Sequence, residues 1–145
     1  SMMLTSKYAL PKMIDAGGGS IITISSNGAF EGGIEGGAVH YSAAKGGVAS
    51  LTKSMAASHG RDNIRVNCIS PGSILTPLVA DEIATEEQRV DRRLTSPLGT
   101  DGTAWDIGDA ALFLVSEEAR WITGVVLPVD AGHLIMAAGP SRRSH

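Results

Sequence analysis

Apolar residues along this chain recur with a helical period in some stretches and as short β-branched runs in others. In residues 2–15, Leu4, Tyr8, Leu10, Met13 and Ile14 fall at mixed spacings of three and four around Pro11, which predicts a helix that kinks or ends early. Gly17, Gly18 and Gly19 stop it. The run Ser20-Ile21-Ile22-Thr23-Ile24-Ser25-Ser26 predicts a strand over 20–26, buried on both faces of a parallel sheet. Glycines with Glu31 and Glu35 make 27–37 a flexible surface loop. Ala44, Val48, Leu51 and Met55 predict a helix over 39–59 with Gly60 as its C-terminal cap, and Gly46 and Gly47 let a helix or ligand approach its first half closely. After the turn Arg61-Asp62-Asn63, residues 64–69 alternate as a second strand, which Pro71-Gly72 breaks.

Residues 73–100 carry a middling helical pattern and read as a mobile flap or a pair of short helices. Thr103 and Asp106 form a capping box that opens a helix over 103–117. A last strand covers 125–129, and 134–145 is a tail whose ordering is optional. Strands separated by helices of this length predict an α/β fold: a parallel sheet of about three strands with helices on both faces. Such a sheet is small, and the chain opens on a helix where a strand should precede it, so a segment is expected upstream. Ser1 ahead of Met2 is expected to be a cloning remnant.

Composition narrows the function. The 145 residues allow one ordinary domain, and 43% hydrophobic with 19% charged residues is the profile of a chain that folds in water. A net charge of -3 disfavours nucleic acid, and no apolar run predicts a membrane span. One cysteine allows no internal disulfide and no secretion signal opens the chain, so a cytoplasmic setting is expected. The 18 glycines are in excess and crowd residues 17–47. No metal-ligand spacing links His40, His59, His133, His145 and Cys68, so no metal is expected, and Cys68 reads as core. Trp105 and Trp121 read as core or subunit-contact residues, and the acidic residues Asp81, Glu82, Glu86 and Glu87 as a solvated face.

Tyr41 and Lys45, four apart on one helix, share a face, where the ammonium favours the tyrosinate and suits the phenol to proton transfer. Ser25 and Ser26 lie at the C-terminal edge of the first strand, where parallel sheets bind ligands. Together with Arg65-Val66-Asn67, Pro71-Gly72-x-Ile74-x-Thr76, Leu10-Pro11-x-Met13, the run 111–116 and the stretch Ile122 to Asp130, these motifs resemble the short-chain dehydrogenases and reductases over residues 3–132. The resemblance implies the C-terminal half of that family's fold: a truncated Rossmann-like three-layer sheet built of the equivalents of strands 5, 6 and 7. It also implies an NAD(P)-dependent oxidoreductase acting on a small alcohol or carbonyl compound. Tyr41 would be the catalytic acid and base, with Lys45 tuning it and bonding the nicotinamide ribose. Ser26 would hold the substrate oxygen. Pro71, Gly72, Ile74 and Thr76 would shape the loop over NAD or NADP, the flap would set specificity, and Asn67 would tie the strand end to its neighbours. Subunit contacts through the first two helices and the last helix and strand would give a homodimer or homotetramer.

Departures accompany the resemblance. Tyr41 lies 15 residues beyond Ser26 where about 13 is common in the family, so the loop between them is longer or the serine is misaligned. Ala131 stands where glycine is usual. No G-x-G-x-x-G phosphate fingerprint is present: Gly17, Gly18 and Gly19 precede a strand, and the later glycine pairs are wrongly spaced. The family's cofactor-binding half is therefore not in this sequence, and the chain alone is expected not to bind the dinucleotide. Two readings stay open: an oxidoreductase that needs an upstream half, and a non-catalytic truncated product or interaction module. The edge Ile21-Ile22-Thr23-Ile24, with neither charge nor proline, is expected to be exposed and to pair with a second copy.

Overall fold

A computed structural model describes residues 2–31, 39–80 and 85–136. The elements are α1 (Met2–Asp15), β1 (Gly19–Ile24), α2 (Val39–His59), β2 (Ile64–Pro71), α3 (Pro77–Ala80), α4 (Glu86–Arg93), α5 (Ala104–Val115) and β3 (Val126–Val129), with short 3-10 turns between them. The three strands form one parallel sheet in the order β1-β2-β3. The fold is a three-layer α/β arrangement matching part of a Rossmann-like architecture.

Side-chain alternation on the strands assigns the layers. On one face, Ile21 of β1 and Ile64 and Val66 of β2 pack with Leu51, Met55 and Ala56 of α2 and with Met2, Leu10 and Met13 of α1. On the other face, Ser20 Oγ donates to the Leu114 carbonyl at 3.4 Å. The Arg65 guanidinium reaches the carbonyls of Leu114, Val115 and Ser116, so it caps the C-terminus of α5, where cations are favoured. Asn67 is fully buried and ties the neighbouring loop, its amide donating to the Ile122 carbonyl and its oxygen accepting from the Val125 N–H. Among the described residues, no helix is long and apolar enough to cross a membrane.

Several expectations need correcting. α1 fills the expected 2–15 span with Pro11 inside it, so only the early end is corrected, since a proline removes one backbone bond without forbidding helical φ. The strand buried on both faces is β2, while β1 is mostly half-buried and Ile24 is exposed, because β1 has a neighbour on only one side. The polar residues Asn67 and Ser70 of β2 are buried and hydrogen-bonded. Strand β1 ends at Ile24, ahead of both serines, although the Ser25 N–H still bonds the Ile69 carbonyl. β2 continues to Pro71, and β3 begins at Val126. Helix α5 spans Ala104–Val115, two residues short of the expected end, where Ser116 turns extended. Trp105 and Trp121 are 80% and 91% exposed and belong to no core. The flap contains α3 and α4, with a capping box of Thr85 and Gln88 on α4. His133–Ile135 forms a turn where tail was expected. Most of the loop over 27–37, Asp81, Glu82, and the tail beyond Met136 lie outside the described residues.

The glycine cluster serves the turn from α1 to β1. Gly18 has φ +123°, and a Cβ there would overlap the Asn63 carbonyl oxygen, the same atom that accepts the Gly19 N–H at 2.9 Å. Ala131 shows the reverse case, an alanine held at φ 55° where no glycine relieves the Cβ. Replacing Gly18 by Ala is expected to cost about 2–3 kcal/mol in urea unfolding. Replacing Ala131 by Gly should stabilise by about 1 kcal/mol. A gain for the first or a loss for the second would contradict this assignment of backbone strain.

Candidate active site

The C-terminal ends of β1 and β2 meet a cleft of about 270 Å³ lined by Ser26, Gly28, Glu31, Pro71, Gly72 and His133, among others. Loops leaving the same ends of parallel strands converge here because each strand hands its chain to a turn on one edge. Ser26 caps the Asn27–Ala29 turn, with its Oγ accepting the Gly28 N–H at 3.2 Å. That bond uses a lone pair and leaves the hydroxyl proton free for a ligand oxygen. Ser25 has a different job: it is buried, and its Oγ donates to the Lys45 carbonyl at 2.8 Å, fastening α2 to the end of β1.

Tyr41 stands on the first turn of α2, 44% exposed, with its ring edge beside Gly28. A Cβ placed on Gly28 would lie 3.4 Å from Tyr41 Cε1 and 3.6 Å from Ser26 Oγ, so the phenol and the serine flank one small residue. One turn on, the Lys45 ammonium sits 5.8 Å from the centre of the Tyr41 ring. It also donates to the Ile24 carbonyl at 3.1 Å, on the last residue of β1. Ser26, Tyr41 and Lys45 are thus brought together around the end of one strand. Pro71 and Gly72 line the cleft with Ser26. Ile74 and Thr76 lie apart from it: Ile74 bridges to Gly102 and lines a neighbouring cavity, and the Thr76 hydroxyl accepts the Val79 N–H at 3.4 Å at the start of α3.

Sequence reasoning missed the residue that joins the strand ends. Asn27 is 3% exposed. Its amide donates to Asp130 Oδ2 at 2.8 Å, and its oxygen accepts from the Ser70 hydroxyl at 3.1 Å. Residues beside the ends of all three strands are joined through this one side chain. No periodicity marks it, and its signal was only an asparagine after a strand and an aspartate after another. Burial alone would raise the Asp130 carboxyl, but the Leu134 N–H, the Asn27 amide, the Gly132 N–H and nearby His133 together hold it below the ordinary aspartate value. His133 Nε2 in turn meets Glu31 Oε2 at 2.9 Å across the cleft wall.

Residues 1–133 match the family model described as enoyl-(acyl carrier protein) reductase. The chain belongs to that family. It is 44% identical over 130 residues to an uncharacterized short-chain type dehydrogenase/reductase of Sinorhizobium fredii, covering 90% of this chain and 51% of the relative. A putative short-chain dehydrogenase/reductase from Burkholderia xenovorans superposes with a TM-score of 0.85 at 34% identity, covering 94% of this chain and 51% of that one. The structure of ElxO with NADP bound superposes with a TM-score of 0.82 at 32% identity over 90% of this chain and 52% of its own. The short-chain dehydrogenase resemblance and its NAD(P) association therefore hold at family level. The chain spans about half the length of the curated relatives it matches.

Because the folded-state carboxyl of Asp130 is lowered, its stabilising contribution is complete above the unfolded value of 3.8 and is lost as pH falls through the lower folded value. Asp130→Asn should weaken the fold at neutral pH and flatten the acid limb of stability against pH. An unchanged acid limb in urea titrations would contradict the assigned contacts.

Proposed function

We propose that this chain is the catalytic, C-terminal half of an NAD(P)-dependent oxidoreductase of the short-chain dehydrogenase type, interconverting a small alcohol and its carbonyl compound. The observation that carries the reading is Tyr41 held beside Ser26 across Gly28, with the Lys45 ammonium over its ring. Three groups of different chemistry at one strand end suit one task. The Ser26 hydroxyl donates to the substrate oxygen, the Tyr41 phenol passes a proton to or from that oxygen, and the Lys45 ammonium stands beside the phenol ring. The nicotinamide nucleotide, when bound, accepts or supplies the hydride.

The residues present fit the nicotinamide end of such a cofactor. The cleft beside Pro71 and Gly72 is open, and both Tyr41 and Lys45 reach solvent next to it. Tyr41 and Lys45 would meet the ribose, with Pro71, Gly72, Ile74 and Thr76 shaping the loop above. The diphosphate cradle is another matter, since no G-x-G-x-x-G turn exists in this sequence. Nucleotide binding and turnover therefore require the complementary half, and this chain alone behaves as a non-catalytic module. Either nucleotide suits the residues named, as the group that would read the 2′-phosphate is not among them. The substrate is a small molecule, with neither nucleic acid nor membrane involved, and the setting is cytoplasmic.

The proposal includes a homodimer or homotetramer. Met3, Leu4 and Tyr8 on α1 and Trp105, Leu112 and Phe113 on α5 present exposed apolar surface, and among the described residues the outer edge of β1 lacks a strand. Light scattering should give a mass of at least two chains, and a mass of one chain would remove this part of the reading. Titration of the chain with NADH and NADPH, followed by nucleotide fluorescence, should show no tight binding. Tight, stoichiometric binding would refute the need for a second half. Once the complementary half is supplied, Tyr41→Phe should lower turnover by about 10²–10⁴-fold. Unchanged turnover would refute the proton role.

A further inference from the structure

Asn27 is the one asparagine of this sequence that is followed by glycine, since Asn63 and Asn67 precede Ile64 and Cys68. An Asn-Gly step closes on itself readily, because no Cβ shields the glycine nitrogen from the side-chain carbonyl carbon. In that reaction the Gly28 nitrogen gives up its proton to water and attacks Asn27 Cγ. The new C–N bond closes a five-membered succinimide, the Cγ–Nδ2 bond breaks, and Nδ2 leaves as ammonia. One water then opens the ring at either carbonyl, leaving an aspartate or an isoaspartate at position 27. The balance is one water in and one ammonia out, with nothing oxidised or reduced.

In the folded chain each group that must move is engaged. The Gly28 N–H donates to Ser26 Oγ at 3.2 Å. The Asn27 backbone carbonyl accepts from the Phe30 and Glu31 N–H groups, which fixes the turn. The side-chain amide is held at both ends, with Nδ2 on Asp130 Oδ2 at 2.8 Å and Oδ1 on the Ser70 hydroxyl at 3.1 Å. Rotating Cγ toward the Gly28 nitrogen breaks both of these bonds. Asn27 is also buried, away from the water that takes the proton and opens the ring.

We propose that Asn27-Gly28 is a deamidation site that the strand-end junction keeps silent, so that each opening of the junction risks an irreversible chemical record at position 27. The product cannot rebuild what was lost. Ser70 still finds an acceptor, but a carboxylate oxygen replaces the Nδ2 donor and faces Asp130 Oδ2, so like charges meet where a hydrogen bond stood. The isoaspartate goes further, because it adds one carbon to the main chain between Ser26 and Gly28, the stretch that borders the Tyr41 ring. Deamidation therefore disturbs the candidate site as well as the sheet edge. The chemistry requires neither nucleotide nor Tyr41, and it stands or falls independently of the proposed reaction.

The test is peptide mass spectrometry after incubation at mildly alkaline pH in heavy-oxygen water, which marks oxygen taken up during the incubation. The folded 145-residue chain is compared with the same chain in concentrated urea. In urea, Asn27 should deamidate faster than Asn63 and Asn67. In the folded chain it should react about 100-fold more slowly, because reaction passes through a rarely populated open form. Asp130→Ala and Ser70→Ala each remove one bond to the amide and should speed the folded-state reaction about fivefold. Ser70→Ala deletes a hydroxyl alone and guards against a folding defect in the other variant. Gly28→Ala should slow the reaction in urea about tenfold, a measurement that needs no folded chain. The proposal is overturned if folded and unfolded chains deamidate at Asn27 at one rate, or if Asn27 is no faster than Asn63 and Asn67 in urea. It is equally overturned if both junction variants keep the parent rate, or if Gly28→Ala leaves the rate in urea unchanged.

Discussion

Three parallel strands converge on one edge, and what holds that edge in register beyond the backbone ladder is the side chain of Asn27. A carboxamide presents a donor and an acceptor on opposite sides, so it can join two partners of opposite need. Asn27 gives its N–H to Asp130 beyond β3 and takes the Ser70 hydroxyl from β2, while its own backbone lies three residues beyond the end of β1. Buried almost completely, it could not stand there unpaired without a cost comparable to a lost hydrogen bond. With the Leu134 N–H, the Asn27 amide also holds the Asp130 carboxyl below the ordinary aspartate value, against the burial that would raise it. Ser26 and Gly28 are its chain neighbours, so the groups that border Tyr41 inherit their position from this junction.

The same end of β1 carries a second constraint on the side of α2. β1 pairs with β2 alone, and the Lys45 ammonium bonds the carbonyl of its last residue. The lysine thus links the helix that bears Tyr41 to the strand that leads into Ser26. Ser25 repeats that link in the reverse direction through the Lys45 carbonyl. Two bonds of opposite polarity thus fasten α2 to the end of β1. These bonds help place the edge of the phenol ring beside Gly28.

Much of this was legible in the sequence, because strong periodicity and turn chemistry survive without tertiary context. α2 carries Ala44, Val48, Leu51 and Met55 at helical spacing, and the Thr103–Asp106 box announces α5. The Tyr41–Lys45 spacing predicts a shared face, and the ammonium stands over the ring. Burial was less legible. β1 and β2 are both rich in isoleucine and valine, yet only β2 has a strand on each side, and position in a sheet is a property of the whole chain. Asn27 and His133 were invisible for a similar reason: Asn27 bonds Ser70 and Asp130, 43 and 103 residues away, His133 meets Glu31 102 residues away, and a single polar residue in a loop has no period to betray it. Of the two roles expected for Trp105 and Trp121, their exposure removes the core one, since a large apolar side chain signals burial only where another surface covers it.

The central claim, that one carboxamide fixes the site-bearing edge of the sheet, is tested most directly by amide hydrogen exchange in Asn27→Ala. The account predicts faster exchange at Ser25, Gly72 and Gly132, whose N–H groups bond at or beyond the strand ends. Gly19 and Asn63, at the far edge, should keep their parent protection. Equal loss at both edges, or no loss at Ser25 and Gly72, would contradict it.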